Sequence, residues 1–321
     1  MVVATRSLGA TSTLAGAMCT CYLYEPMDGI LNINKATGMT SHDVVASIRR
    51  LLRQKRVGHA GTLDPAASGV LPICTGKGTR VAEYLSESGK AYRAEIVFGV
   101  ETDTYDSEGA VVGTASAADL TRAQIEQVLQ RFTGQQMQLP PRYSAIKLQG
   151  QPAYKLARAG EDISLEPRPI TIYRLEVIDW LAPRLTFAVE CSKGTYIRSL
   201  AHDIGKQLGC GAYLAALVRT RCGPFSLAES ITLEQLADAV ADDNSQRAAR
   251  FLYPLDIALQ QYPALRLDDV TAERVLHGNA FMHDEHTHAN LARIYDPAGR
   301  FLAIASWDGQ RELWQPRKVL L

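Results

Sequence analysis

The chain is 321 residues long, 46% hydrophobic and 21% charged, a composition of folded water-soluble proteins with room for two domains and a sizeable core. No apolar run approaches the ~18 residues that a membrane-spanning helix needs. Lys plus Arg and Asp plus Glu balance at 34 each, which argues against a uniformly basic nucleic-acid binder and leaves charge-based recognition to a local patch.

Residues 1–28 are rich in Ala, Ser, Thr and Gly and contain one basic residue, Arg6. They lack the charged start and apolar centre of a signal peptide, so the expectation is a disordered extension with structure beginning at Gly29. Residues 29–34 alternate like a strand, and Ser41 opens a helix whose stripe is Val44, Val45, Ile48, Leu51 and Leu52. Arg49, Arg50, Arg53, Lys55 and Arg56 follow without an acidic neighbour. Such a run is either a solvated face or a phosphate contact, and Arg53 and Lys55 are the candidates for the second role. Six cysteines are scattered without a Cys-x-x-Cys pair, which suits a reducing, cytoplasmic setting. Cys74 and Cys191 sit in apolar strand patterns, where a thiol behaves as a small hydrophobe.

Further along, residues 78–86 read as a short helix and 90–100 as a half-buried strand, with Tyr92, Ala94, Ile96 and Phe98 on one side. Thr121 with Gln124 forms a capping-box pattern before a helix that Gly134 ends. A proline-stiffened connection leads through Tyr143 to a short helix over 154–159, strands over 169–180 and 184–191, and a helix from Tyr196 to 208. Strands and helices alternate irregularly, giving a mixed α/β (α+β) domain rather than a doubly wound sheet. From Tyr253 the texture changes to short strands over 291–295, 301–305 and around Leu313, separated by Asp-Gly-type turns, a β-rich module. The division expected is 1–28, 29–252 and 253–321.

The densest chemical signal is Gly58-His59-Ala60-Gly61-Thr62-Leu63-Asp64-Pro65, followed by Ala66, Ala67, Ser68, Gly69 and an apolar strand over 70–74. Glycines permit tight geometry, Pro65 stiffens the chain after Asp64, and the strand anchors the loop. Taken alone, an Asp-Pro in a loop is as readily a turn aspartate capping its own backbone. The whole string, however, resembles the catalytic motif of TruB-type tRNA pseudouridine synthases. The stretch Ser192-Lys193-Gly194-Thr195-Tyr196-Ile197-Arg198 resembles that family's second motif.

The resemblance implies a pseudouridine synthase catalytic domain, with a central mixed or antiparallel sheet flanked by helices, plus a PUA-like RNA-binding domain at the C-terminus. It implies isomerisation of a uridine in the T-loop of tRNA, with tRNA as partner and no cofactor, metal, membrane or second subunit. Asp64 then carries the chemistry, Arg198 pairs with it, and Tyr92 stacks on the flipped base. His59 fills the vacated stack, Lys35 lies near the substrate and the catalytic loop, and Tyr196 and Leu217 wall the pocket. Ala36 departs from the family's usual proline after that lysine, a change expected to loosen the turn by about 0.4–1 kcal/mol. Read as residues alone, Tyr92 is ordinary strand packing and Arg198 a helix-surface arginine, so a module that binds RNA without chemistry stays open. Three further patterns carry less weight: a phosphate-loop-like Thr75-Gly76-Lys77-Gly78-Thr79 without its upstream glycine, the His283 to His288 cluster, and Asp103 with Asp106 as a glycosidase-like pair.

Overall fold

The strand Gly29–Lys35 is buried on both faces, with Leu31 and Ile33 in one apolar cluster and Ile30 in another. A strand of that kind belongs in a sheet covered on both sides. In the computed structural model, which describes residues 27–144, 146–148, 150–161, 163–241, 245–283 and 289–320, it lies near one end of a ten-stranded sheet. The main path runs Leu252–Tyr253, Gly29–Lys35, Ser68–Thr75, Ala212–Cys222, Lys90–Phe98, Arg184–Cys191, Arg168–Leu181, Gly134–Gln138. Neighbours along this path are antiparallel except Ser68–Thr75 with Ala212–Cys222, which are parallel and pair Ser68 with Val218 and Gly69 with Arg219.

Helices cover the sheet where the sequence places apolar stripes. Ser41–Leu51 starts at Thr40, whose side chain takes the Asp43 N–H while Asp43 takes the Thr40 N–H, a reciprocal cap. It sends Val44, Val45 and Ile48 into the core. The Thr121 and Gln124 capping box forms as expected before Arg122–Arg131. Ile197–Gln207 buries Ile197, Leu200, Ala201 and Ile204 against the same cluster.

Three expectations are altered. The helix over 78–86 is two pieces, a 3-10 turn Gly76–Arg80 and an α-helix Ala82–Glu87. The strand over 90–100 stops at Phe98, because Gly99 at φ 89° turns the chain into a separate hairpin of Val100–Thr102 with Val111–Thr114. The expected domain boundary at Tyr253 falls inside the central sheet, where Tyr253 pairs with Ile30. A second sheet begins at Ala264–Arg266 and continues through Leu291–Tyr295, Phe301–Asp308 and Leu313–Val319 around buried Trp314. Ile304 and Leu320 of this unit share an apolar cluster with Ile30, Val70 and Cys74, and Lys318 pairs with Glu83 at 2.7 Å. Residues 1–26 of the expected extension lie outside the described residues, while Met27 is buried and Asp28 accepts the Lys77 N–H.

Among the described residues no helix is long and apolar enough to cross a membrane.

Candidate active site

Val57–His59 and Ser68–Thr75 pair antiparallel, Gly58 opposite Cys74, so the residues between them close as a loop at the sheet. Gly61 at φ 100° and Gly69 at φ 101° supply conformations that side chains rarely tolerate. At Gly69 space decides as well: a Cβ there would lie 2.3 Å from the Arg219 carbonyl oxygen. Before Asp64, Ser41 grips the loop, its hydroxyl donating to the Leu63 carbonyl at 3.1 Å and accepting the Leu63 N–H at 2.9 Å. After it, the Pro65 carbonyl accepts the Gly38 N–H at 2.9 Å. Asp64 therefore projects from a loop held on both sides.

Arg198 approaches from the first turn of Ile197–Gln207. That turn is placed by Gln138, which accepts the Tyr196 N–H at 2.8 Å and donates to the Tyr196 carbonyl at 3.0 Å. The Arg198 Nε lies 3.0 Å from Asp64 Oδ2, its Nη1 3.5 Å from Asp106 Oδ2, and its Nη2 donates to the Tyr143 carbonyl at 3.0 Å. The arginine side chain is 7% exposed and the Asp64 side chain 43%. A buried cation thus presents a carboxylate that is still open to a shallow pocket, lined by both residues with Ala66, Asp106, Leu214 and Leu217.

Asp106 is placed by the backbone around it. Tyr105, at φ 65°, accepts the Leu214 N–H through its carbonyl, and Ser107 donates to the Leu214 carbonyl. The Tyr105 ring stacks on His202 of the Arg198 helix at 4.0 Å between centroids. The glycosidase-like pairing with Asp103 does not form, since Asp103 accepts the Ala110 N–H of its own turn. Asp106 instead shares the arginine with Asp64, a role that its Asp-rich turn pattern does not reveal.

Residues 49–197 match the TruB family pseudouridylate synthase (N terminal domain), 198–260 the tRNA pseudouridylate synthase B C-terminal domain, and 263–320 the pseudouridine synthase II TruB C-terminal domain. The chain belongs to the TruB family. Among its relatives, the tRNA pseudouridine synthase B of Dehalococcoides mccartyi strain CBDB1 is 45% identical over 297 residues, 92% of this chain and 97% of the relative. That of Symbiobacterium thermophilum is 50% identical over 257 residues, 79% and 83% of the two chains. A solved structure described as a Cbf5-Nop10-Gar1 complex superimposes with a TM-score of 0.73 at 29% identity, covering 92% of this chain and 85% of the other.

The remaining TruB-like positions divide. Leu217 lines the pocket. Tyr196 is half-buried and is not among the residues that line it; burial pushes its phenol up, and the Arg198 charge pulls the other way. Tyr92 is 8% exposed and does not line the pocket either. It shares a sheet face with Leu217, two residue pairs along, and stands directly across from Arg219. Burial raises its phenol to about 12, and the Arg219 guanidinium pulls the other way.

His59 stands edge-on to His42 at 5.4 Å, and its buried Nδ1 has no hydrogen-bond partner among the described residues. Burial, then the neighbouring His42 and Arg219 charges, lower its pKa and favour the neutral ring. Lys35 lies against the Asp64 loop. It is fully buried, and its ammonium donates to the carbonyls of Ala36, Met39 and Pro65 at 2.9, 2.7 and 3.3 Å. It braces the turn that lacks proline against the Asp64 loop. Burial lowers it to about 8, with the Asp64 charge opposing.

Arg53 and Lys55 are exposed beside the loop. The phosphate-loop-like segment is a packed turn: a Cβ at Gly76 would sit 1.8 Å from Asp28 Oδ1, and Lys77 pairs with Asp28 at 3.7 Å. Of the His283 to His288 cluster, residues 284–288 lie outside the described residues, and His283 Nε2 lies 3.2 Å from the Arg266 carbonyl oxygen.

Proposed function

We propose that this chain isomerises a uridine in the T-loop of tRNA to pseudouridine, acting as a cytoplasmic monomer without cofactor or metal. The observation that carries the reading is the Asp64 carboxylate, held by a buried Arg198 at 3.0 Å and open to a pocket. Isomerisation breaks the N-glycosidic bond, turns the base, and rejoins it through carbon, so the site needs one charged carboxylate at the sugar and walls that retain the base. The Arg198 guanidinium fixes the direction of the Asp64 carboxylate through a charge-assisted contact. Ala66, Leu214 and Leu217 supply apolar surface against the base.

A T-loop uridine is inside a folded RNA, so it must be extruded before the carboxylate reaches its sugar. His59, with one unpartnered ring nitrogen, is the group we assign to the space that extrusion opens. For Tyr92 to stack on the base, the bound nucleoside has to reach deeper than the open pocket, onto the sheet face beside Leu217. Arg53 and Lys55 provide exposed charge for the RNA backbone, and the sheet beginning at Ala264 is assigned to further RNA contact. The test is incubation with an unmodified tRNA transcript, without ATP or added metal, followed by chemical mapping of pseudouridine. A single new pseudouridine in the T-loop supports the reading. Tight binding without conversion refutes it and leaves an RNA-binding module.

A further inference from the structure

Arg219 is an arginine in the middle of the strand Ala212–Cys222, 1% exposed, and among the described residues no carboxylate pairs with it. Burying an unpaired cation is expensive, and a strand interior is ordinarily filled better by an apolar side chain of similar volume. What the guanidinium does there is specific. Its Nε donates to the Val70 carbonyl at 2.7 Å, Nη2 to the Gly61 carbonyl at 3.0 Å, and Nη1 stands 3.4 Å from the Thr62 carbonyl. Two of these carbonyls precede Asp64 and one follows it. The backbone of the same residue meets the loop as well, since Arg219 pairs with Gly69 so closely that only glycine fits.

We infer that Arg219 is a positioning residue for the reaction proposed above: it clamps both ends of the Asp64 loop to the central sheet and so sets where the carboxylate stands. The inference rests on Asp64 being the reacting group. The donor geometry explains the choice of residue. Carbonyls in three directions suit the planar fork of a guanidinium, whereas the donors of a lysine radiate from one nitrogen. The clamp acts from behind the loop, and Arg219 is not among the residues lining the pocket. It also lies across from Tyr92, so the same guanidinium sits beneath two of the groups assigned to the reaction.

Full-length Arg219→Lys and Arg219→Met are compared with the unsubstituted chain and with Asp64→Asn. Thermal midpoints, tRNA affinity, and kcat and KM are measured well below every midpoint. Misplacing a reacting group by about 1 Å costs on the order of 100-fold, so Arg219→Met is expected to lose roughly that factor in kcat, with KM and tRNA affinity within about twofold. Arg219→Lys, which restores one charge and part of the donor set, is expected to recover about tenfold of that loss. A merely structural arginine would lower the midpoint and leave kcat of the folded fraction intact. That result, or failure of both variants to fold, overturns the positioning role. Full turnover by Asp64→Asn would instead show that the functional reading itself is wrong.

Discussion

Replacing Arg198 by methionine keeps most of the side chain's length and removes its charge. Two carboxylate oxygens stand 3.0 and 3.5 Å from the guanidinium, so at an effective dielectric constant of ~20 each contact is worth about 5 kcal/mol before screening. Asp64 is 43% exposed, and solvent at such a site cuts the usable part to roughly 1–3 kcal/mol. Each 1.4 kcal/mol is about tenfold, so kcat should fall by roughly 10- to 100-fold, with the Tyr143 carbonyl also losing its donor. Asp64 and Asp106 would then face one another without the cation between them, which turns the Asp64 carboxylate away from the pocket. The assay is single-turnover pseudouridine formation in an unmodified tRNA transcript, alongside a binding measurement. A folded Arg198→Met variant that turns over at the unsubstituted rate would refute the pairing argument.

Asp106→Asn removes one of the two carboxylates on Arg198, and kcat is expected to drop by about tenfold with tRNA affinity unchanged, as measured in the same assay. Gly69→Ala places a methyl 2.3 Å from the Arg219 carbonyl oxygen at φ 101°, and a thermal or denaturant melt should show a loss of about 3 kcal/mol or more. For Lys35, whose pKa falls from 10.5 to about 8 on folding, the unfolded chain holds more protons between those values. The stability advantage of the unsubstituted chain over Lys35→Met should therefore grow as pH rises from 8 to 10.5, by no more than ~3 kcal/mol, in parallel denaturant titrations. A flat or falling difference contradicts the buried, charged lysine. Charge reversal at Arg53 and Lys55 should weaken tRNA binding and flatten its dependence on salt, and an unaltered slope would return both to plain solvation.

Much of the fold follows from local pattern. Strands with clean alternation, such as Arg184–Cys191 and Leu291–Tyr295, and helices with capping boxes, such as Arg122–Arg131, form where the periodicity puts them. The central strand Ala212–Cys222 escapes that reading, because its small residues, a bulge between Leu214 and Ala216, and the buried Arg219 erase the period-two signal. The site divides in the same way. Asp64 and Arg198 are legible because each sits in a long motif, and the structure brings them together at 3.0 Å although they lie far apart in the chain. Asp106 and Arg219 are not, since each acts through partners supplied by other elements. Lys35 is legible in part: it lies against the Asp64 loop as expected, but its burial and its three backbone carbonyls come from the packing of other elements.

The most direct measurement is pseudouridine mapping on a tRNA transcript treated with Asp64→Asn, a change that keeps the side chain's shape and its reach to Arg198 while removing the charge. The expected result is an RNA that is bound with near-normal affinity and left as uridine. Pseudouridine appearing at the unsubstituted rate would contradict it.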